Sequence, residues 1–253
     1  MVKPKKHLGQ HFLHDERIAE KIAHAISSPD PSEVLEVGPG TGVLTKYLLS
    51  RTFAFRAFDV DEESIDYLKK NYSDHSAQFL LKDFLKMSVE KENTVVIGNF
   101  PYNISSQLFF KIWEDRQNIS QVVCMVQKEV AQRISSEHGN KVYGILSVLL
   151  QAYFDIEYLF SVGPGAFNPP PKVQSGVIRL TRNGITNLPC DDKLFKQVVK
   201  AAFGKRRKTL RNALKDLNLP ESLTSQDIFN QRAEQLSVQE FIELTCQIAS
   251  WKQ

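Results

Sequence analysis

The segment Glu36-Val37-Gly38-Pro39-Gly40-Thr41-Gly42 sets three glycines close together. Glycines at that spacing let a backbone turn tightly and approach a ligand closely. Downstream, acidic residues follow apolar runs twice, at Asp59-Val60-Asp61 and at Asp83-Phe84. A carboxylate in such a position can accept two hydrogen bonds from a ribose diol, or one from the amine of an adenine ring. Asp59 is the candidate for the diol, whereas Asp61, followed by Glu62 and Glu63, better suits a helix N-cap. Asp83 is the candidate for the ring amine, with Phe84 packing on the ring. The plainer alternatives are a ligand-free strand–loop–helix turn and acids that only cap helices. The glycine spacing is GxGxG, and Val43 stands where the third glycine of a dinucleotide fingerprint would fall. That disfavours a nicotinamide dehydrogenase.

For these residues to act together, they must stand at the ends of neighbouring strands. Apolar runs at 34–37, 53–60, 78–81, 94–97 and 122–126 read as strands, as do 154–162 and 177–181. Helical spacing intervenes at 14–27, 41–49, 62–71, 105–113, 128–136 and 142–152. Such alternation predicts an α/β fold, a parallel sheet covered on both faces, with ligands beyond the carboxyl ends of its strands. Beyond a linker at 183–189 only helical patterns remain. Leu194, Val198, Val199 and Ala202 form one stripe. Ser237 and Glu240 form a capping box ahead of Val238, Phe241, Ile242, Thr245, Ile248 and Ala249. The expected domains are 1–183, holding the sheet, and 184–253, small and all-helical.

The 253 residues are 42% hydrophobic and 24% charged, which excludes a mainly disordered chain. No apolar run approaches the roughly 18 residues of a membrane span. The basic start lacks the apolar core of a signal peptide, so a cytoplasmic location is expected. Cys124, Cys190 and Cys246 lie far apart without zinc spacing and read as reduced thiols, and no metal is expected. The formal charge of +3 is uneven: residues 1–180 hold 20 Lys+Arg against 21 Asp+Glu, and residues 181–253 hold 12 against 8. Lys205, Arg206, Arg207, Lys208, Arg211 and Lys215 follow one another with no acid among them. Six cations on one short helix would bind phosphates with steep salt dependence; the plainer reading is a solvated helix face. Lys3, Lys5 and Lys6 form either a second basic arm or a solvated tail.

Asn99-Phe100-Pro101-Tyr102 follows the fourth strand. It resembles the Asn/Asp-Pro-Pro-Tyr/Phe motif of S-adenosylmethionine-dependent methyltransferases that act on an amine conjugated to a ring. The glycine loop resembles the cofactor motif of the same class. The residue types suit that chemistry. An adenine N6 lone pair is delocalised into its ring. The Asn99 side-chain oxygen and the Phe100 carbonyl can each accept an N6 hydrogen bond, favouring a pyramidal nitrogen poised for in-line displacement. Pro101 fixes the turn, and Tyr102 offers a face to a base taken out of its stack. A second aromatic is then expected, and Phe167 in Phe167-Asn168-Pro169-Pro170-Pro171-Lys172-Val173 is the candidate. The plainer alternatives are an Asn-Xaa-Pro turn and a polyproline turn over a buried phenylalanine.

The variant Asn-x-Pro-Tyr-Asn-Ile-Ser resembles the family of small-subunit rRNA (adenine-N6,N6)-dimethyltransferases. So do Gly9-Gln10-His11-Phe12-Leu13, the Phe-x-Pro-x-Pro-Lys-Val segment and Phe203-Gly204-Lys205-Arg206-Arg207-Lys208. The likeness runs from about Lys6 to the last helix. It implies a Rossmann-like methyltransferase sheet with a C-terminal helical domain, and S-adenosylmethionine as cofactor. The substrate it implies is two adjacent adenosines near the 3′ end of 16S rRNA, in the small subunit or its precursor. By this resemblance His11, Leu13, Gly38, Gly40, Asp59, Asp83, Phe84 and Asn99 touch the cofactor, and Lys205, Arg206, Arg207, Lys208 and Arg211 touch RNA. His11 stands where Asn is common, Asp59 where Glu is common, and Gln174 where Asp is usual. A monomer is expected. The competing readings are a 23S rRNA adenine methyltransferase and a non-catalytic ribosome-assembly factor on the same fold.

Overall fold

The computed structural model describes residues 2–252. They form two compact units. The first runs to Gln132 and resumes over Asp155–Arg182, and the second comprises Arg133–Phe154 and the chain from Asn183 onward. The chain passes into the second unit after Arg182, and residues 133–154, expected with the sheet, group with the helical unit.

The first unit contains β1 (Phe12–Leu13), α1 (Glu16–His24), β2 (Glu33–Val37), α2 (Thr45–Leu49), β3 (Phe55–Asp59), α3 (Glu62–Asn71) and β4 (Phe79–Leu81). It continues with β5 (Thr94–Asn99), α4 (Ser105–Glu114), β6 (Ile119–Gln127) and the start of α5 (Lys128–Ile134). The second unit contributes α6 (Ile145–Gln151) before the chain returns through β7 (Phe154–Val162), β8 (Phe167–Asn168) and β9 (Ser175–Arg182).

Seven strands form one sheet in the order β4-β3-β2-β5-β6-β9-β7. Strands β4, β3, β2, β5 and β6 are parallel, and β9 runs antiparallel to β6. The order reverses between β2 and β5, the place where such sheets open a crevice for ligands. Every residue of β2 is buried, Glu33 and Glu36 included, as is most of β5, whose Val95–Ile97 form an apolar run. Strand β5 extends to Asn99, two residues beyond its apolar run, because Gly98 and Asn99 continue the ladder opposite Cys124 and Met125. A Cβ at Gly98 would lie 2.3 Å from the Val37 carbonyl oxygen. Glycine there lets the ends of β2 and β5 come together.

Helix α2 is shorter than the expected 41–49. Gly40 and Gly42 hold φ at +55° and +82°, which keeps the loop non-helical before the first turn. Asp15 caps α1 by accepting from the Arg17 and Ile18 amides, and Asp61 caps α3 by accepting from the Glu63 amide at 3.1 Å. A separate two-stranded ribbon pairs Phe12 with Asn168 and Leu13 with Phe167.

In the second unit α7 (Asp192–Gly204) buries Phe195, Val198, Val199, Ala202 and Phe203, while Leu194 is half-exposed. Two short helices, α8 (Leu210–Ala213) and α9 (Glu221–Thr224), precede α10 (Val238–Lys252). The Ser237 amide donates to the Glu240 carboxylate at 2.7 Å and the Glu240 amide donates to the Ser237 hydroxyl at 3.2 Å, which is the expected capping box. Phe203 stacks on Phe241 at 5.8 Å between ring centroids. Helix α6 is buried over Leu146–Leu150 and packs on both α7 and α10. A helix apolar all round needs cover on more than one side, which explains its membership of this unit. The basic run is not one helix: residues 205–208 form a turn closed by the Lys208 amide on the Lys205 carbonyl at 2.8 Å, Arg211 lies in α8 (Leu210–Ala213), and Lys215 begins a separate 3-10 turn.

Candidate active site

A cavity of about 200 Å³ opens at the carboxyl ends of β2, β3 and β5. Gly38, Gly40, Asp59, Asp83, Asn99, Phe100, Pro101 and Tyr102 all line it. The sequence-derived residues thus converge from four separate segments. The N-terminal segment from Leu8 to Phe12 covers them. Leu13 and the glycine loop line a smaller adjoining cavity.

Gly38, with φ +71°, donates its amide to the Phe58 carbonyl at 2.9 Å. Asp59 is 8% exposed; its carboxylate accepts from the Asp61 amide at 2.9 Å and the Gly40 amide at 3.4 Å. Burial pushes its carboxyl above the ordinary range, against the pull of those amides. The amides fix the carboxylate at the cavity wall. Asp83 accepts from the Leu85 amide at 3.0 Å and lies 3.7 Å from the Lys86 ammonium.

Phe84 does not take the place expected of it. It is 4% exposed and its ring leans on Phe58 at 6.5 Å, inside the core. Val60 and Leu85 line the cavity instead. Val60 is 52% exposed, a large apolar side chain left open at a strand end between two acids. That pattern was a usable sequence signal.

Asn99 donates its side-chain amide to the His11 carbonyl at 3.0 Å, which leaves its oxygen free to accept in the cavity. The Phe100 ring is buried edge-on against Phe109, so the contribution of Phe100 to the cavity is its backbone. Tyr102 is fixed by a 2.6 Å hydrogen bond with the Ser175 hydroxyl, and burial pushes its phenol upward. The His11 ring stacks on Tyr102 at 5.4 Å and 30°, while its Nδ1 meets the Pro169 carbonyl at 2.8 Å. His11 therefore has both a backbone and a ring role.

Phe167 is also placed differently from the expectation. It is 2% exposed within the apolar core beneath β1, because its pairing with Leu13 turns it inward. The ring facing Tyr102 is His11. Gln174 replaces an ion pair by a neutral contact, accepting from the Lys128 ammonium at 2.8 Å. Lys5 is not a free basic arm: it pairs with the buried Asp61 carboxylate, to which Gln10 also donates at 2.9 Å. These two contacts fasten the N-terminal segment beside the cavity.

Glu36 sits 1% exposed under the glycine loop and accepts from the Thr45 hydroxyl at 2.7 Å. Burial pushes its carboxyl up from 4.5 to about 8, opposed by the Thr45 hydrogen bond and reinforced by Asp59. The folded state thus keeps a proton that the unfolded chain releases above pH 4.5, so stability falls as pH rises from there to about 8. Glu36→Gln is expected to match the wild-type melting temperature near pH 4.5 and to exceed it increasingly toward pH 8. Thermal melts across that range check this; parallel curves would contradict it.

In the helical unit three of the proposed RNA contacts already have partners. Lys205 pairs with Asp216 at 2.8 Å. Arg206 donates to the Lys141 carbonyl and, at 3.3 Å, to that of Tyr143. Arg211 donates to the Asn230 side chain at 3.2 Å. The Arg207 and Lys208 side chains are exposed and have no such partner among the described residues.

The parallel sheet, its glycine loop and the acids at successive strand ends define an S-adenosylmethionine-dependent methyltransferase. The chain belongs to the ribosomal RNA adenine dimethylase family, whose sequence model matches residues 1–252. It is 54% identical over 251 residues to the ribosomal RNA small subunit methyltransferase A of Flavobacterium johnsoniae, covering 98% of this chain and 96% of the relative. The protein of the same name from Cytophaga hutchinsonii is 54% identical over 249 residues, 96% of each chain. Among solved structures, a dimethyladenosine transferase from Plasmodium falciparum is similar with a TM-score of 0.79 and 27% identity over 95% of this chain and 98% of that one. The 23S rRNA methyltransferase ErmE shares the fold, with a TM-score of 0.69 and 22% identity over 93% and 99% of the two chains.

The cavity fits the cofactor of this class. Its glycine backbone permits close approach, Asp59 would offer a fixed acceptor to a ribose diol, and Asp83 would offer one to an adenine amine near Val60 and Leu85.

Proposed function

We propose that this protein dimethylates N6 of two adjacent adenosines near the 3′ end of 16S rRNA, acting on the small ribosomal subunit or its precursor in the cytoplasm. The observation that carries this reading is the orientation of Asn99. Its amide is committed to the His11 carbonyl, so its oxygen faces the cavity as an acceptor for the target amine. S-adenosylmethionine supplies an electrophilic methyl group on a sulfonium. The Asn99 oxygen and the Phe100 carbonyl draw the N6 hydrogens into their plane and turn the nitrogen lone pair outward. Tyr102, held by Ser175, presents its ring to the extruded base. Catalysis by this arrangement is positioning and electrostatics. A non-catalytic assembly role would not need the Asn99 and Asp83 acceptors. Deleting the gene and mapping dimethyladenosine by primer extension tests the substrate: loss confined to 16S rRNA is expected, and loss confined to 23S rRNA contradicts the assignment.

Lys205, Arg206, Arg207, Lys208 and Arg211 are proposed as RNA contacts, with Arg207 and Lys208 the strongest because their side chains have no partner among the described residues. Replacing both with Ala is expected to weaken RNA binding and reduce the slope of log affinity against log salt by up to about 2. Arg206→Ala also removes a contact to the 141–143 loop and is expected to lower the melting temperature as well. Binding titrations at several salt concentrations check this; an unchanged slope places the RNA elsewhere.

A further inference from the structure

A second cleft, of about 620 Å³, shares Tyr102 with the cavity but not Gly38, Asp59, Asp83 or Asn99. Gly9, Gln10, His11 and Tyr102 line both the cavity and this cleft, so the two adjoin at the stacked pair. Its size falls within the roughly 300–1,000 Å³ of small-molecule sites. The walls are unlike those around Asn99. They are formed mainly by Pro169 to Pro171 and by Val173, which is 44% exposed; Gln127 and Gln10 supply the polar part, and the Gln10 side chain is already engaged with the Lys5 amide and Asp61. Proline has no amide hydrogen to offer, and valine has no polar group. At the rim stand Lys6 and Lys172, both exposed, neither in an ion pair among the described residues.

An aromatic floor, largely apolar walls and two cations with no ion-pair partner among the described residues suit a nucleotide whose base cannot donate from its exocyclic nitrogen. N6,N6-dimethyladenosine is such a base: it has lost both N6 hydrogens and gained two methyl groups. We infer that this cleft holds the finished dimethyladenosine while the adjacent adenosine occupies the catalytic cavity. Lys6 and Lys172 meet its flanking phosphates, which fix register without reading sequence. The inference rests on the proposed modification of two neighbouring adenosines, and it makes the product of the first modification the neighbour required for the second. Burying its methyl groups against Val173 is favourable, whereas placing them against a carboxylate would strip that group of water without offering it a donor.

Val173→Asp tests this directly. The substitution is on an exposed side chain, and calorimetric binding of S-adenosylmethionine checks that the cavity remains intact. The introduced carboxylate can accept from an unmethylated adenine amine but not from a dimethylated one. With small subunits lacking the modification as substrate, wild type is expected to convert both adenosines. Val173→Asp is expected to accumulate particles carrying a single dimethyladenosine, the second modification slowing at least tenfold, and Val173→Leu to restore both. Two dimethyladenosines at the wild-type ratio with Val173→Asp overturn the inference, as does equal slowing of both steps with cofactor binding retained. If wild type itself transfers no methyl group to these particles, the proposed function fails instead.

Discussion

Asn99→Ala is expected to reduce kcat by about 10²–10³-fold, the range found when one fixed hydrogen-bond partner of a transition state is removed. The reason is geometric. The Asn99 amide is held by the His11 carbonyl at 3.0 Å, which aims its oxygen at the cavity before any substrate arrives. Only as the amine becomes pyramidal does this acceptor act fully, so the loss belongs to turnover more than to binding. Cofactor affinity is expected to change by no more than about tenfold, since Gly38, Gly40, Asp59 and Asp83 remain. Single-turnover methyl transfer and calorimetry separate the two quantities. A variant with near-normal kcat contradicts the mechanism.

Asp59→Ala should act in the opposite way, on affinity. Two hydrogen bonds from a diol to a charged, buried carboxylate are each worth about 1.5–3 kcal/mol, which sets a loss of at least about a hundredfold in S-adenosylmethionine affinity. The carboxylate also accepts from the Gly40 and Asp61 amides, so its removal loosens the glycine loop as well. Asp59→Asn keeps one carbonyl acceptor and is expected to lose about tenfold. In both variants kcat at saturating cofactor should fall less than affinity does. A dissociation constant within about threefold of wild type for Asp59→Ala would remove Asp59 from the cofactor site.

Residues whose role is local were legible in the sequence. Three glycines with positive φ, an acid closing β3 and another just after β4, and an Asp heading α3 are set by the chain within a few residues of themselves. The same holds for the Ser237 capping box. Phe84 and Phe167 were not legible, because the face a ring presents depends on register with another strand or helix. A one-residue difference in register turns a side chain from the cleft into the core. Leu13 opposite Phe167 settles one case, and Phe58 beneath Phe84 settles the other. The basic run failed as a helix for a related reason: its charges carry no apolar period, and the turn at 205–208 follows from α7 ending at Gly204. Residues 133–154 continued the strand–helix alternation in sequence, yet the buried faces of α6 are completed by α7 and α10, far along the chain. His11 shows how a departure from the family pattern acquires a role. Its backbone orients Asn99 and its ring meets Tyr102, and only the assembled site joins the two.

The central claim is adenine N6 dimethylation in the small subunit. The most direct measurement incubates the purified protein and labelled S-adenosylmethionine with small subunits from a strain lacking this activity, then maps the label by mass spectrometry of the digested RNA. Two adjacent dimethyladenosines near the 3′ end of 16S rRNA, absent when Asn99→Ala replaces the wild type, are the predicted result. Particles that bind the protein but gain no methyl groups, or label found only in large-subunit RNA when both subunits are offered, would contradict it.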